Sequence, residues 1–187
     1  MSPRDLRKAI GGWAWFSVTA GGLGHLWPAS GTWGSLPPAL LFMGMAWWGA
    51  PLGLHAVAQV LVCVLASVAC VRHGAKVEAA TGRKDPGVVV IDEVAGMALT
   101  LALVVGLVVA RHGPGQAVMP TSLGLALAAV GFFWFRVMDV IKPPPARGLQ
   151  ALPGGMGVLV DDLVVAPYAA LAVVASIELW VSLQPVG

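Results

Sequence analysis

The stretch VVVIDEVAGMALTLALVVGLVVA, residues Val88 to Ala110, decides how this chain folds. Apart from Asp92, Glu93 and Thr100, every residue in it is apolar or glycine. It exceeds the ~20 residues that an α-helix needs to cross the hydrocarbon of a bilayer. A helix satisfies its backbone polar groups internally, which a single segment in lipid must do. Working outward, three further stretches qualify: Pro37 to Val71, which has no Asp, Glu, Lys or Arg, then Leu123 to Ile141 and Val158 to Leu183. If the first of these turns at Trp48-Gly49-Ala50-Pro51 it makes two short helices, so the chain has four or five spans.

Composition agrees. Of 187 residues, 58% are hydrophobic and 11% charged, against roughly 25% charged in a soluble domain; mean hydropathy is +0.83. Eight tryptophans beside one tyrosine suit the headgroup level of a membrane. A net charge of +2 gives no reason to expect nucleic acid as a partner. Cys63 and Cys70 fit no zinc pattern and read as small hydrophobes on one helix face. The expectation is all-α: one domain over residues 1–187, a polytopic membrane helical bundle of four to five transmembrane helices. Residues 1–36, with Arg4, Arg7 and Lys8, read as an N-terminal interfacial helix followed by a Gly-rich loop, and residues 37–187 as the bundle.

Charge orients the bundle. Arg72, Lys76, Arg83 and Lys84 lie before the Val88 span, and Lys142 and Arg147 follow the Leu123 span on the same side. The opposite loop, 111–122, holds Arg111 alone. The basic side is therefore expected to be cytoplasmic.

Of the nine acidic residues, Asp5, Glu78 and Glu178 look incidental. Asp92, Glu93, Asp139, Asp161 and Asp162 lie in apolar segments, where an ionised carboxylate costs at least ~2.5 kcal/mol; Asp85 lies just outside. By alternation of spans, all of them come to the inner side, whichever way the first stretch divides. Converging carboxylates without His or Cys are hard oxygen ligands that favour Mg²⁺ or Mn²⁺. Ion pairing is the plainer reading, with Arg136 and Lys142 one turn either side of Asp139, but these two bases do not neutralise five acids. Neighbours on a helix diverge by about 100°, so Asp92 and Glu93 are not both expected at the centre, nor are Asp161 and Asp162; Asp161 is a candidate partner for Arg136. Arg83, Lys84, Arg136, Lys142 and Arg147 surround the acids with positive charge suited to a phosphate. Gly31-Thr32-Trp33-Gly34-Ser35 offers backbone N–H groups and the Thr32 and Ser35 hydroxyls to an anion, and His25 precedes it in the Gly-rich loop.

These segments form an ordered set: Gly31-Thr32-Trp33-Gly34-Ser35; Lys84-Asp85-Pro86-Gly87 running to Ile91-Asp92-Glu93-Val94-Ala95-Gly96; Phe135-Arg136, Asp139 and Lys142-Pro143; and Gly154-Gly155-Met156-Gly157 before Asp161-Asp162. The set resembles the phosphatidylglycerophosphatase A family over roughly residues 20–168. The resemblance implies a magnesium-dependent lipid phosphatase of the bacterial cytoplasmic (inner) membrane, with its active site facing the cytoplasm. Its substrate would be phosphatidylglycerophosphate and its products phosphatidylglycerol and inorganic phosphate. The chain departs from the pattern at Pro143-Pro144-Pro145 and at Ala166-Pro167, beside the site. Metal ligands are then sought among Asp92, Glu93, Asp139, Asp161, Asp162 and Asp85. Asp92, Glu93, Asp139, Asp162, Arg136 and Lys142 are the expected catalytic groups, with Thr32, Ser35, Arg83, Lys84, Arg147 and His25 as substrate contacts. The competing reading is a divalent-cation transporter or channel using the same carboxylates; it expects acids at mid-membrane and a path to both faces.

Overall fold

The computed structural model describes residues 1–113, 118–149, 152 and 154–184. Two short helices open the chain, α1 (Pro3–Ile10) and α2 (Gly12–Val18). Ser2 caps α1 by accepting the Asp5 N–H, and Pro3 begins it, where a missing N–H costs nothing. Both helices bury one face, through Leu6, Ala14 and Val18, and leave Trp13 and Phe16 exposed. A 3₁₀ turn at Leu23–His25 leads to α3 (Ser30–Trp47). Then come α4 (Leu52–Thr81), α5 (Ile91–His112), α6 (Thr121–Ile141), the single turn α7 (Ala146–Leu149) and α8 (Gly155–Ser182).

The helices α4, α5, α6 and α8 are long and apolar enough to cross a membrane. The expected break at Trp48–Pro51 is present: α3 ends at Trp47, and Gly49 takes a left-handed conformation (φ +67°) before α4 begins. The fifth long helix, α3, carries Pro37 and Pro38 in its middle, and the buried Gln59 of α4 donates a 3.0 Å hydrogen bond to the Pro38 carbonyl. One expectation needs correcting. Gly31 to Ser35 are not loop: they form the first turns of α3. The glycines serve packing there, lying where α3 presses on the start of α5: a β-carbon on Gly34 would come within 2.8 Å of Val90.

Two ends of the bundle are tied separately. At one, Thr121 Oγ1 donates to the Ala46 carbonyl at 3.2 Å, and Pro51 pairs with Val118. At the other, the Val90 N–H donates to the Val18 carbonyl at 2.9 Å, and Ser30 Oγ donates to the Gly87 carbonyl. The starts of α3, α5 and α8 therefore meet the ends of α4 and α6. The centre belongs to α5 and α8, whose apolar windows are 50% and 56% buried against 22% for α4. The outer face of α4, with Val57, Leu61, Val64, Leu65 and Val68 exposed, is left to lipid. Small residues set the crossings. Gly74 and Gly155 bring α4 and α8 together beside Cys70, and Gly96 admits the Phe135 ring. Cys70 is buried in this packing, and both cysteines are free thiols.

Candidate active site

Three helices deliver the carboxylates to one end of the bundle. Asp92 and Glu93 lie in the first turn of α5, where an acid also meets the positive end of the helix dipole. Asp139 ends α6, and Asp161 and Asp162 stand in the second turn of α8. They surround a cavity of ≈ 290 Å³ lined by Asp85, Gly87, Val89, Asp92, Glu93, Asp139, Val140, Lys142 and Asp162.

The two cations divide the acids. Arg136 Nη1 lies 2.8 Å from Asp139 Oδ2. Lys142 Nζ lies 3.5 Å from Asp139 Oδ1 and makes a short ion pair with Asp161 Oδ2. Asp161 therefore pairs with Lys142 rather than Arg136. Lys142 sits just past α6 in a left-handed conformation (φ +48°) that turns it back over the helix end. Burial works against its ammonium charge, but the hydrogen bond and charge of Asp161, then Asp162 and Asp139, outweigh this and raise its pKa.

Ion pairing thus accounts for Asp139 and Asp161. It leaves Asp92, Glu93 and Asp162, each of which offers an oxygen within 4.8 Å of the other two. Asp92 Oδ1, Glu93 Oε2 and Asp162 Oδ2 are buried without a hydrogen-bond partner. Buried acceptors in that state are costly, and three close carboxylates repel one another. A hard divalent cation answers both demands, so the donor set fits Mg²⁺. Asp92 and Glu93 both reach the centre despite their divergence, since the site lies at a three-helix junction and Glu93 has one methylene more. Asp161 and Asp162 do diverge, one to Lys142 and one to the cluster.

The remaining expected residues lie around the cavity rather than on its walls, except Asp85. Asp85 stands at the mouth (φ +48°), and its N–H reaches Glu78 Oε1 at 3.4 Å. Partial burial, then the charge of Asp161, raises its pKa. Ser35 Oγ is buried and donates to the Gly31 carbonyl at 2.9 Å, while Thr32 is half-buried in the first turn of α3. Arg147 donates to the Ile141 carbonyl at 2.9 and 3.2 Å, closing the end of α6. Lys84 is exposed in the loop before α5. Arg83 and His25 line a second, polar cavity of ≈ 510 Å³ that shares Gly87 with the acidic one. Burial lowers the His25 pKa, and its Nε2 accepts a 3.1 Å hydrogen bond from Trp15 Nε1. Sequence reasoning missed Glu78 as the anchor of the Asp85 loop and the close approach of Gly31 to Glu93 and Arg136. Pairing of neighbouring segments through one side chain leaves no local signal.

Compared with known proteins, residues 16–177 match the sequence profile described as Phosphatidylglycerophosphatase A. The chain belongs to the phosphatidylglycerophosphatase A family. Membership makes it a phosphoric monoester hydrolase, and every acid of the cavity falls within the matched region. A phosphatidylglycerophosphatase A of Haemophilus influenzae is 32% identical over 164 residues, which are 85% of this chain and 85% of that protein. A protein of Bacteroides thetaiotaomicron that carries the provisional name phosphatidylinositol-3-phosphatase is 27% identical over 166 residues, 89% of this chain and 87% of its own length. No solved structure matches the chain significantly.

Gly31 offers a direct check on this family's site. A β-carbon there would overlap Glu93 Oε1 and lie 2.9 Å from both Arg136 Nη atoms. Gly31→Ala is expected to lower activity about 10–100-fold, because Glu93 must shift. The Tm should change little, as the gain in helix propensity of up to ~1 kcal/mol offsets the crowding. Steady-state kinetics beside a thermal melt in detergent checks both halves.

Proposed function

We propose that this chain hydrolyses the terminal phosphate monoester of phosphatidylglycerophosphate to phosphatidylglycerol and inorganic phosphate, with Mg²⁺ held by Asp92, Glu93 and Asp162, at the cytoplasmic face of the bacterial inner membrane. The observation that carries the metal site is that Asp92, Glu93 and Asp162 each offer a carboxylate oxygen within 4.8 Å of the other two, and that each has a buried oxygen without a hydrogen-bond partner. Bound there, Mg²⁺ would offset the charge on the phosphoryl oxygens and ease loss of a proton from the attacking water.

The protein's own groups do the rest. Arg136 and Lys142 supply positive charge beside the cavity, and Asp139 and Asp161 hold them in place. Because Lys142 has a raised pKa, it stays cationic through the neutral range. Water oxygen bonds to phosphorus as the bond from phosphorus to the glycerol oxygen breaks. A carboxylate at the cavity takes a proton from the water and returns it to the leaving glycerol oxygen, which departs as the alcohol. The cytoplasmic assignment rests on Arg72, Lys76, Arg83, Lys84, Lys142 and Arg147, all at the acidic end. At the opposite end Arg111 is paired with Glu178.

A cation transporter would need ligands on a path to both faces. Here the three carboxylates that fit a cation lie together at one end, within a turn or two of the helix starts. The deciding experiment is phosphate release by the purified chain in detergent, with Mg²⁺ and with EDTA. Release that requires Mg²⁺ is the expected result. Full activity in EDTA would remove the metal from the mechanism, and no release with any divalent cation would overturn the phosphatase reading.

A further inference from the structure

The mouth of the acidic cavity joins two kinds of surface. Among its lining residues three are exposed: Asp85 and Gly87, in the loop before α5, and Val140, in the last turn of α6. Asp85 and Gly87 lie outside the spans, whereas Val140 belongs to the span Thr121–Ile141 and is 75% exposed. In a span, exposure of that kind means contact with lipid. Seven residues earlier, two turns away on the same face of α6, Phe133 is 57% exposed. Arg136 stands between them, three residues after Phe133 and four before Val140, with its guanidinium directed to Asp139. An apolar track therefore runs down α6 from the bilayer to the cavity, and a cation marks where the track meets the acids.

We infer that Val140 is the threshold of a lateral opening through which a glycerophospholipid presents its phosphate while its acyl chains stay in the bilayer, along Val140 and Phe133. The inference deepens the lipid-phosphatase reading above and rests on it. The occupant is the substrate lipid, since the opening is continuous with the cavity and faces hydrocarbon on one side and the headgroup loop on the other. A phosphate monoester arriving from water would pass Asp85 and Gly87 and need nothing apolar on the rim. A lipid that slides in from the side must cross α6, and a polar side chain there would have to shed its water each time.

The test uses the full chain in detergent micelles and two substrates with one headgroup: long-chain phosphatidylglycerophosphate and its water-soluble dibutyryl form. Val140→Asn should raise KM for the long-chain lipid about tenfold with kcat changed by less than about twofold. Hydrolysis of the dibutyryl form should fall by less than about twofold, and Val140→Leu, which keeps the rim apolar, should hold the long-chain KM within about twofold of wild type. Val140 is exposed, so neither variant threatens the core. Equal losses on the two substrates would overturn the inference by making Val140 a general determinant of the reaction rather than of lipid entry, as would an unchanged KM for the long-chain lipid. A wild-type protein inactive on both would overturn the phosphatase reading and this opening with it, a result distinct from either.

Discussion

Asp92→Asn and Asp162→Asn should each cut phosphate release by about 10³-fold or more, equivalent to ~4 kcal/mol of transition-state stabilisation. Each carboxylate offers one of three oxygens that lie within 4.8 Å of one another, and asparagine keeps the shape while removing a negative ligand. The stability of the same variants should move the other way. Without metal, three close carboxylates repel one another, a pair at ~4 Å costing up to a few kcal/mol in a protein interior. Replacing one relieves that, so the metal-free variants should melt at or above the wild-type Tm. Mg²⁺ at about a hundred times its Kd should stabilise the wild type by ~2.7 kcal/mol, and the variants should lose most of that gain. Thermal melts with and without Mg²⁺ read this independently of activity. An undiminished Mg²⁺ shift in both variants would remove these residues from the metal site.

Gly155→Ala should have the second-largest effect, through the fold. A β-carbon on Gly155 would overlap the Cys70 carbonyl oxygen, and it would lie 2.9 Å from the carbonyl carbon and 3.0 Å from Val71 Cα. These are backbone atoms of α4, which cannot rotate aside as a side chain would. The start of α8 must move, and overpacking of this kind costs ~1–3 kcal/mol. Asp161 and Asp162 follow six and seven residues later, so the displacement reaches the cavity, where a shift of about 1 Å is worth about a hundredfold in rate. Gly106→Ala is the matched control. Nothing lies within 4 Å of a β-carbon there, and a helical alanine should stabilise by up to ~1 kcal/mol. Melting temperature and specific activity of the two variants, measured side by side, separate the crossing from the generic cost of replacing a glycine.

Much of this was legible in the chain. Uncharged runs and the break at Trp48–Pro51 mark the long helices, because lipid admits no other conformation for them. The shared end of the acids follows from parity: each span reverses direction, so Asp92, Asp139 and Asp162 had to meet whatever their packing. The ion pairs at Arg136 and Lys142 were readable in part, through their spacing from Asp139. The stretch Gly31–Ser35 reads as a loop and is helix, because glycine and hydroxyl residues mark turns and tight helix crossings alike. Only the contact with Val90 and Glu93 distinguishes the two.

Composition, hydropathy and the position of each charge along the helices are properties of the chain itself, and they determined the bundle, its alternation and the end at which the acids gather. Tertiary structure alone decided that Lys142 holds Asp161, that Arg136 holds Asp139, and that Asp92, Glu93 and Asp162 each bring an oxygen within 4.8 Å of the other two. Those pairings depend on how far each helix is rotated about its axis and how closely it approaches its neighbours. Gly31, Gly96 and Gly155 set those approaches, through contacts with residues far away in the chain, and no local pattern records them.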